Sequence, residues 1–206
     1  MAPRTPLFRP KAYFESRRST LTPALGVFAL YVVGSTVLTY VLADLLFAQV
    51  DDASAEFEAA LNSVMGTMVV FLVITAIVAL LVVAAIMHYL SGDGESGSFG
   101  DAIAVAGWAY APNLLALPVK YADARRYVEG LSFDGSDPAV MATQLETVDE
   151  STTAVSTVLT LLVVAWSVFI LAKGAAGTHD TDVDDTIGPA LLIGVGVLVM
   201  EFQFLF

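Results

Sequence analysis

Five long runs of apolar residues, each almost free of charge, limit what this chain can fold into. A bilayer core is about 30 Å thick, so a helix needs roughly 20 apolar residues to cross it. Runs of this kind occupy residues 19–43, 61–90, 101–119, 151–173 and 187–206. Each is apolar on all faces, which rules out a soluble helix with one wet side. The expected fold is an all-α integral membrane protein, with five transmembrane helices in a compact bundle. The third run is the shortest and is punctuated by Pro112 and Pro118, so a Pro-bent span is expected there. A basic, aromatic leader at residues 1–18 precedes the membrane domain at 19–206.

Composition agrees with this assignment. Charged residues make up 15% of the 206-residue chain, against about 25% in an ordinary soluble domain. The absence of cysteine excludes disulfides, thiol nucleophiles and thiolate metal sites. Two histidines, His88 and His179, leave little room for zinc. No cofactor, metal or nucleic-acid partner is expected. The net charge of −12 is concentrated between the apolar runs, in DDASAEFE, SGDGESGSFGD, FDGSDP, ETVDE and HDTDVDD. Acid-rich, lysine-poor segments suit a protein hydrated in high salt, where repulsion is screened, and point to a halophilic archaeal source.

The first run is longer than a signal-peptide core and no small-x-small cleavage site follows it, so it is read as a retained span. Orientation follows from lysine and arginine beside the spans. Arg4, Arg9, Lys11, Arg17 and Arg18 crowd the leader, and the loop after the first span has none. The amino terminus is therefore expected in the cytoplasm and Phe206 outside, in a multi-pass protein of the cell membrane. Arg125 and Arg126 sit in a loop expected outside and run against that assignment.

Two outer segments read as helical extensions of the spans. In DDASAEFEAALNSVM, Phe57, Leu61, Val64 and Met65 recur at helical spacing behind acids that suit a helix N-terminus. In SDPAVMATQLETVDE, Asp137 takes the N-cap position and Pro138 the first helical one. Packing or interfacial lodging accounts for such faces, with a binding role as the alternative.

Several residues are candidates for more than packing. The leader alternates Leu7, Phe8, Tyr13 and Phe14 with basic residues, which suits an anchor on the inner membrane surface or partner docking. His88, at the end of the second span, has Asp101, at the start of the third, as the nearby acid expected at the same depth for a proton-relay pair; interfacial placement is the plainer explanation. Glu201 interrupts the last span, and a carboxylate at mid-depth costs about 2.5–3.5 kcal/mol on insertion scales. It is either hydrated near the surface or protonated and bonded to Asn113, Tyr40 or another span. The aspartates of HDTDVDD alternate, but Asp185 and Leu191 stand where an EF-hand needs Gly and Glu, so an acidic turn is expected. Glycines at 26, 34, 188, 194 and 196, and the AKGAAG run, allow close helix approach within the bundle or in a homo-oligomer or partner interface. There is no P-loop, GxSxG elbow, HExxH or Rossmann fingerprint.

The stretch Gly107-Trp108-Ala109-Tyr110-Ala111-Pro112 resembles the third-span Gly-aromatic-x-x-x-Pro pattern of the Yip family, the Ypt/Rab-interacting membrane proteins. The leader PLFRPKAYFESRR is similar to the lead-in of its prokaryotic members, and the resemblance covers nearly the whole chain. It implies a five-helix membrane domain with a cytoplasmic amino terminus. Eukaryotic members are linked to small GTPases, but their long amino-terminal region and Asp-Leu-Tyr-Gly-Pro motif are not in this sequence, so GTPase binding is not expected. A non-enzymatic scaffold or adaptor is the expected function. The alternative is a permease or channel-like component with a polar path near Pro112, Asn113 and Glu201.

Overall fold

A computed structural model describes residues 3–16, 20–51, 55–91, 97–130, 133–134 and 154–202. The expected outer helix at 136–150 and the charges of Arg17 and Arg18 lie outside the described residues. Helices α1 (Pro10–Glu15), α2 (Leu21–Phe47), α3 (Ala55–Leu90), α4 (Phe99–Trp108), α5 (Ala111–Val128), α6 (Ala154–Thr178) and α7 (Val183–Phe202) follow in order. Two-residue strands β1 (Val50–Asp51) and β2 (Phe133–Asp134) pair in parallel and tie two loops of the same end together. With α4 and α5 counted as one bent span, five helical stretches are long and apolar enough to cross a membrane.

The span positions follow the apolar runs, and the helix ends exceed them. Helix α3 begins at Ala55, so the first outer segment does continue the second span as helix. Within it Met65 is buried while Val64 is exposed. Helix α5 runs through Pro118 to Val128, well past the expected end near residue 119. Arg125 and Arg126 therefore occupy the last turn of a helix, where the dipole favours cations, and Arg125 bonds Glu129 at 2.6 Å. The charge rule counts basic residues whatever acids lie beside them, so the conflict posed by Arg125 and Arg126 stands.

The third span is the axis of the bundle: 56% of its apolar window is buried, against 11% for each of the first two spans. Helices α2, α3 and α6 pack around α4, and α6 forms an antiparallel hairpin with α7. That hairpin is pinned by Thr186, fully buried, whose hydroxyl donates to the Ala172 carbonyl at 2.7 Å. At its turn Asp180 has a φ of 50°, in the left-handed region that aspartate tolerates. Asp184 and Asp185 then occupy the first turn of α7, where the dipole favours acids, so the HDTDVDD aspartates start a helix.

The leader departs most from the sequence reading. An interfacial anchor would lie on the membrane surface; instead the leader is seated in the bundle. Pro10 opens α1 at the first helical turn, and Tyr13 and Phe14 project from it into the main core. The groove that receives them is cut by glycine. A Cβ on Gly177 would lie 2.6 Å from the Lys11 carbonyl oxygen, and one on Gly174 would lie 3.1 Å from the Phe14 ring. The Trp166 indole donates to the Leu7 carbonyl at 2.8 Å, and Lys11 Nζ donates to the Thr181 carbonyl. Trp166 lies twelve residues before the end of α6, roughly 18 Å at helical rise. The leader thus penetrates the bundle because AKGAAG leaves room for its backbone.

Candidate functional site

The bend in the third span is built from the family-like stretch itself. Gly107 lies where α4 crosses α2: a Cβ there would stand 3.0 Å from the Ala24 carbonyl oxygen, so any side chain would have to push the two backbones slightly apart. Trp108 ends α4 and meets Tyr13 of the leader edge to face, with centroids 5.7 Å apart. Tyr110 meets Phe28 of α2 edge to face and Tyr31 of α2 at a tilt, with centroids 5.1 Å apart in both pairs. Pro112, fully buried, lies in the first turn of α5, where its missing N–H does least harm.

The break at Ala109 and Tyr110 leaves backbone carbonyls in need of donors, since lipid supplies none. Ser167 of α6 supplies one: its hydroxyl gives a 2.8 Å bond to the Ala109 carbonyl. One hydroxyl from the fourth span thus holds the bend of the third.

Beside the bend, a cleft of about 230 Å³, open on one side, runs from Ala106 and Leu171 to Lys120 and Glu201, lined mainly by α5, α6 and α7 with Tyr31 of α2 and Val83 of α3. Its polar wall comprises Tyr31, Tyr110, Asn113, Lys120, Ser167 and Glu201. Asn113 and Glu201, paired from sequence as the flanks of a polar path, do line one space. Glu201 is exposed at the far end of α7 and accepts a long 3.4 Å bond from Thr160. Tyr40, the other partner considered for Glu201, is half-exposed and is not among the residues lining the cavity. The structure brings Lys120, two residues past Pro118, to the same cavity.

His88 and Asp101 do not form a pair. Asp101 is the acid of a capping box: its carboxylate accepts from the Ser98 backbone and hydroxyl, while its own N–H bonds the Ser98 hydroxyl. His88 meets His179 from the end of α6 instead, with ring centroids 5.7 Å apart, and also contacts Phe99. Gly97, at φ 89°, closes tightly over His179.

Sequence reasoning therefore missed Ser167, Lys120, His179 and the seating of Tyr13. A serine in the middle of an apolar span was a usable signal for Ser167, because such hydroxyls commonly serve backbone carbonyls. Nothing local marked Lys120 as a cavity residue.

Five apolar helices and a core built on a bent third span define a multi-pass integral membrane protein in contact with the lipid bilayer. The Yip1 domain family model matches residues 5–202, so the chain belongs to that family, leader included. No curated protein and no solved structure matches it.

Proposed function

We propose that this protein is a non-enzymatic scaffold of the cell membrane, in which the bundle presents its leader in one fixed pose to a partner or to the inner lipid surface. The observation that carries this reading is the seat of the leader: Tyr13 is fully buried, while Arg4 and Arg9 on the same segment are exposed. A basic segment held this way has little ordering left to lose on binding. With a cytoplasmic amino terminus, Arg4, Arg9 and exposed Lys173 lie on the anionic side, where each basic residue attracts headgroups by about 1 kcal/mol. A photoreactive residue replacing Arg4 is expected to trap a defined protein in native membranes, and Arg9→Glu in the same chain should abolish the trapping. Trapping of lipid alone, or a partner still trapped with Arg9→Glu, sinks the adaptor.

Homo-oligomer contacts fit the glycines that no neighbour occupies: Gly26, Gly66, Gly188 and Gly196 face open space, unlike Gly107, Gly174, Gly177 and Gly194. The acid-rich loops support a halophilic archaeal origin, and equal stability in low-salt and high-salt detergent would count against it.

A second reading is favoured by the cavity: a permease or channel-like component whose polar path runs beside Asn113 and Glu201. Solute flux in proteoliposomes, lost in Asn113→Ala or Glu201→Gln, is its test.

A further inference from the structure

The cavity carries charge of both signs, and among the described residues neither charge is paired. Lys120 and Glu201 line the same space from α5 and α7. The ion pairs among the described residues are Lys11–Glu15 and Arg125–Glu129, so among these residues no opposite charge is bonded to either group. The Thr160 hydroxyl bonds Glu201 only weakly at 3.4 Å, near the limit of a hydrogen bond. Beside them lie the Asn113 amide and two phenol rings, Tyr31 and Tyr110, tilted with centroids 5.1 Å apart. The remaining wall is apolar, including Val164, Val168, Ile193 and Val197.

A single ion does not complement this wall. A bound anion would satisfy Lys120 and crowd Glu201 with like charge; a bound cation would do the reverse. A molecule bearing one charge of each sign satisfies both. We propose that the cavity binds a small zwitterion, with an ammonium and an acid group a few bonds apart and a short apolar body. The ammonium lies against the Glu201 carboxylate, and the Tyr31 and Tyr110 ring faces add cation–π attraction. The acid group takes the Lys120 ammonium and the Asn113 amide N–H. The apolar body lies along Val164, Val168 and Val197. At about 230 Å³ the space falls below that of drug-sized pockets, which restricts the occupant to amino-acid or lipid-headgroup dimensions. Those are the two sources of the shared chemistry: a free amino acid from water, or an aminophospholipid headgroup from the bilayer.

The inference goes beyond the scaffold reading and deepens the permease reading by naming its ligand class; binding is measured without flux, so the two fail separately. The full chain is reconstituted in phosphatidylglycerol nanodiscs and its thermal unfolding followed. In one arm L-leucine is titrated against isocaproate and isoamylamine, which keep one charge each. In the other arm the discs carry phosphatidylethanolamine, or its N-acylated form, which lacks the ammonium. Stabilisation by L-leucine assigns a free amino acid, and stabilisation by phosphatidylethanolamine assigns a headgroup. In either case the single-charge analogue is expected to bind about tenfold more weakly or worse. Lys120→Met and Glu201→Gln each remove the response, whereas Lys120→Arg and Glu201→Asp, which keep the charges, preserve it. No response in either arm, equal response to the single-charge analogues, or a response that survives Lys120→Met and Glu201→Gln overturns the proposal.

Discussion

At the leader end of the bundle, Tyr13, Met87, Val105, Ile170 and Ala176 have no exposed surface, and three helices and the leader meet around them. At the far end, charged Lys120 and Glu201 border open space, and Val199 and Met200 of α7 lie exposed. Both ends are made from the same spans, so hydropathy does not explain the contrast. The leader does. It supplies a sixth, half-length element that fills one end only, with Tyr13 and Phe14 occupying space that helices joined by short turns would leave. Among the described residues nothing equivalent enters at the far end, and a cavity remains. One end is thus specialised for rigidity and the other for room.

This contrast is broken most directly at Trp108. Removing a buried aromatic at the Tyr13 contact, as in Trp108→Ala, should destabilise the protein by about 3–5 kcal/mol in denaturant unfolding from detergent. Tyr13→Ala should overlap with it, so the double variant loses less than the sum. Full additivity would show that the leader and the bend are independent.

Overpacking the groove comes next. Gly177→Ala drives a Cβ against the Lys11 backbone and should lower stability by about 1–3 kcal/mol, with faster proteolysis of the leader. An unchanged cleavage rate would mean that the leader is not held by this contact. Ser167→Ala removes the donor to the Ala109 carbonyl, and about 1 kcal/mol is the expected loss for a hydrogen bond between membrane helices. A larger loss would show that the bend collapses without it.

The smallest effect is expected where glycine faces open space. Gly26→Ala leaves packing untouched and should leave stability unchanged or raise it by up to about 1 kcal/mol. If the same substitution reduces cross-linking between copies in membranes, that face is an oligomer contact. Together with Gly177→Ala it separates glycines that build the bundle from those that face outward.

The spans were legible because insertion into lipid is scored residue by residue, and local hydropathy from Leu21 to Phe47 or from Ala154 to Thr178 carries that information unaided. The bend was legible for a related reason, since Pro112 removes a specific N–H wherever it stands. Its repair was not, because Ser167 lies 58 residues from Ala109 and becomes a donor only when α6 packs on α4 and α5. The candidate pair of His88 with Asp101 rested on their shared depth at the mouth of one hairpin. Ser98 claims Asp101 through a capping box, and the turn of α6 brings His179 to His88 instead.

Transfer free energy into lipid is local, so membrane residence, five spans and a Pro-bent third span follow from the chain's own order of residues. Contacts between helices are not local, because lipid rewards no particular pairing and close packing alone selects among them. Packing therefore decided where the leader sits, through Gly174 and Gly177, and which hydroxyl holds the bend. It also brought Lys120 and Glu201 to one cavity.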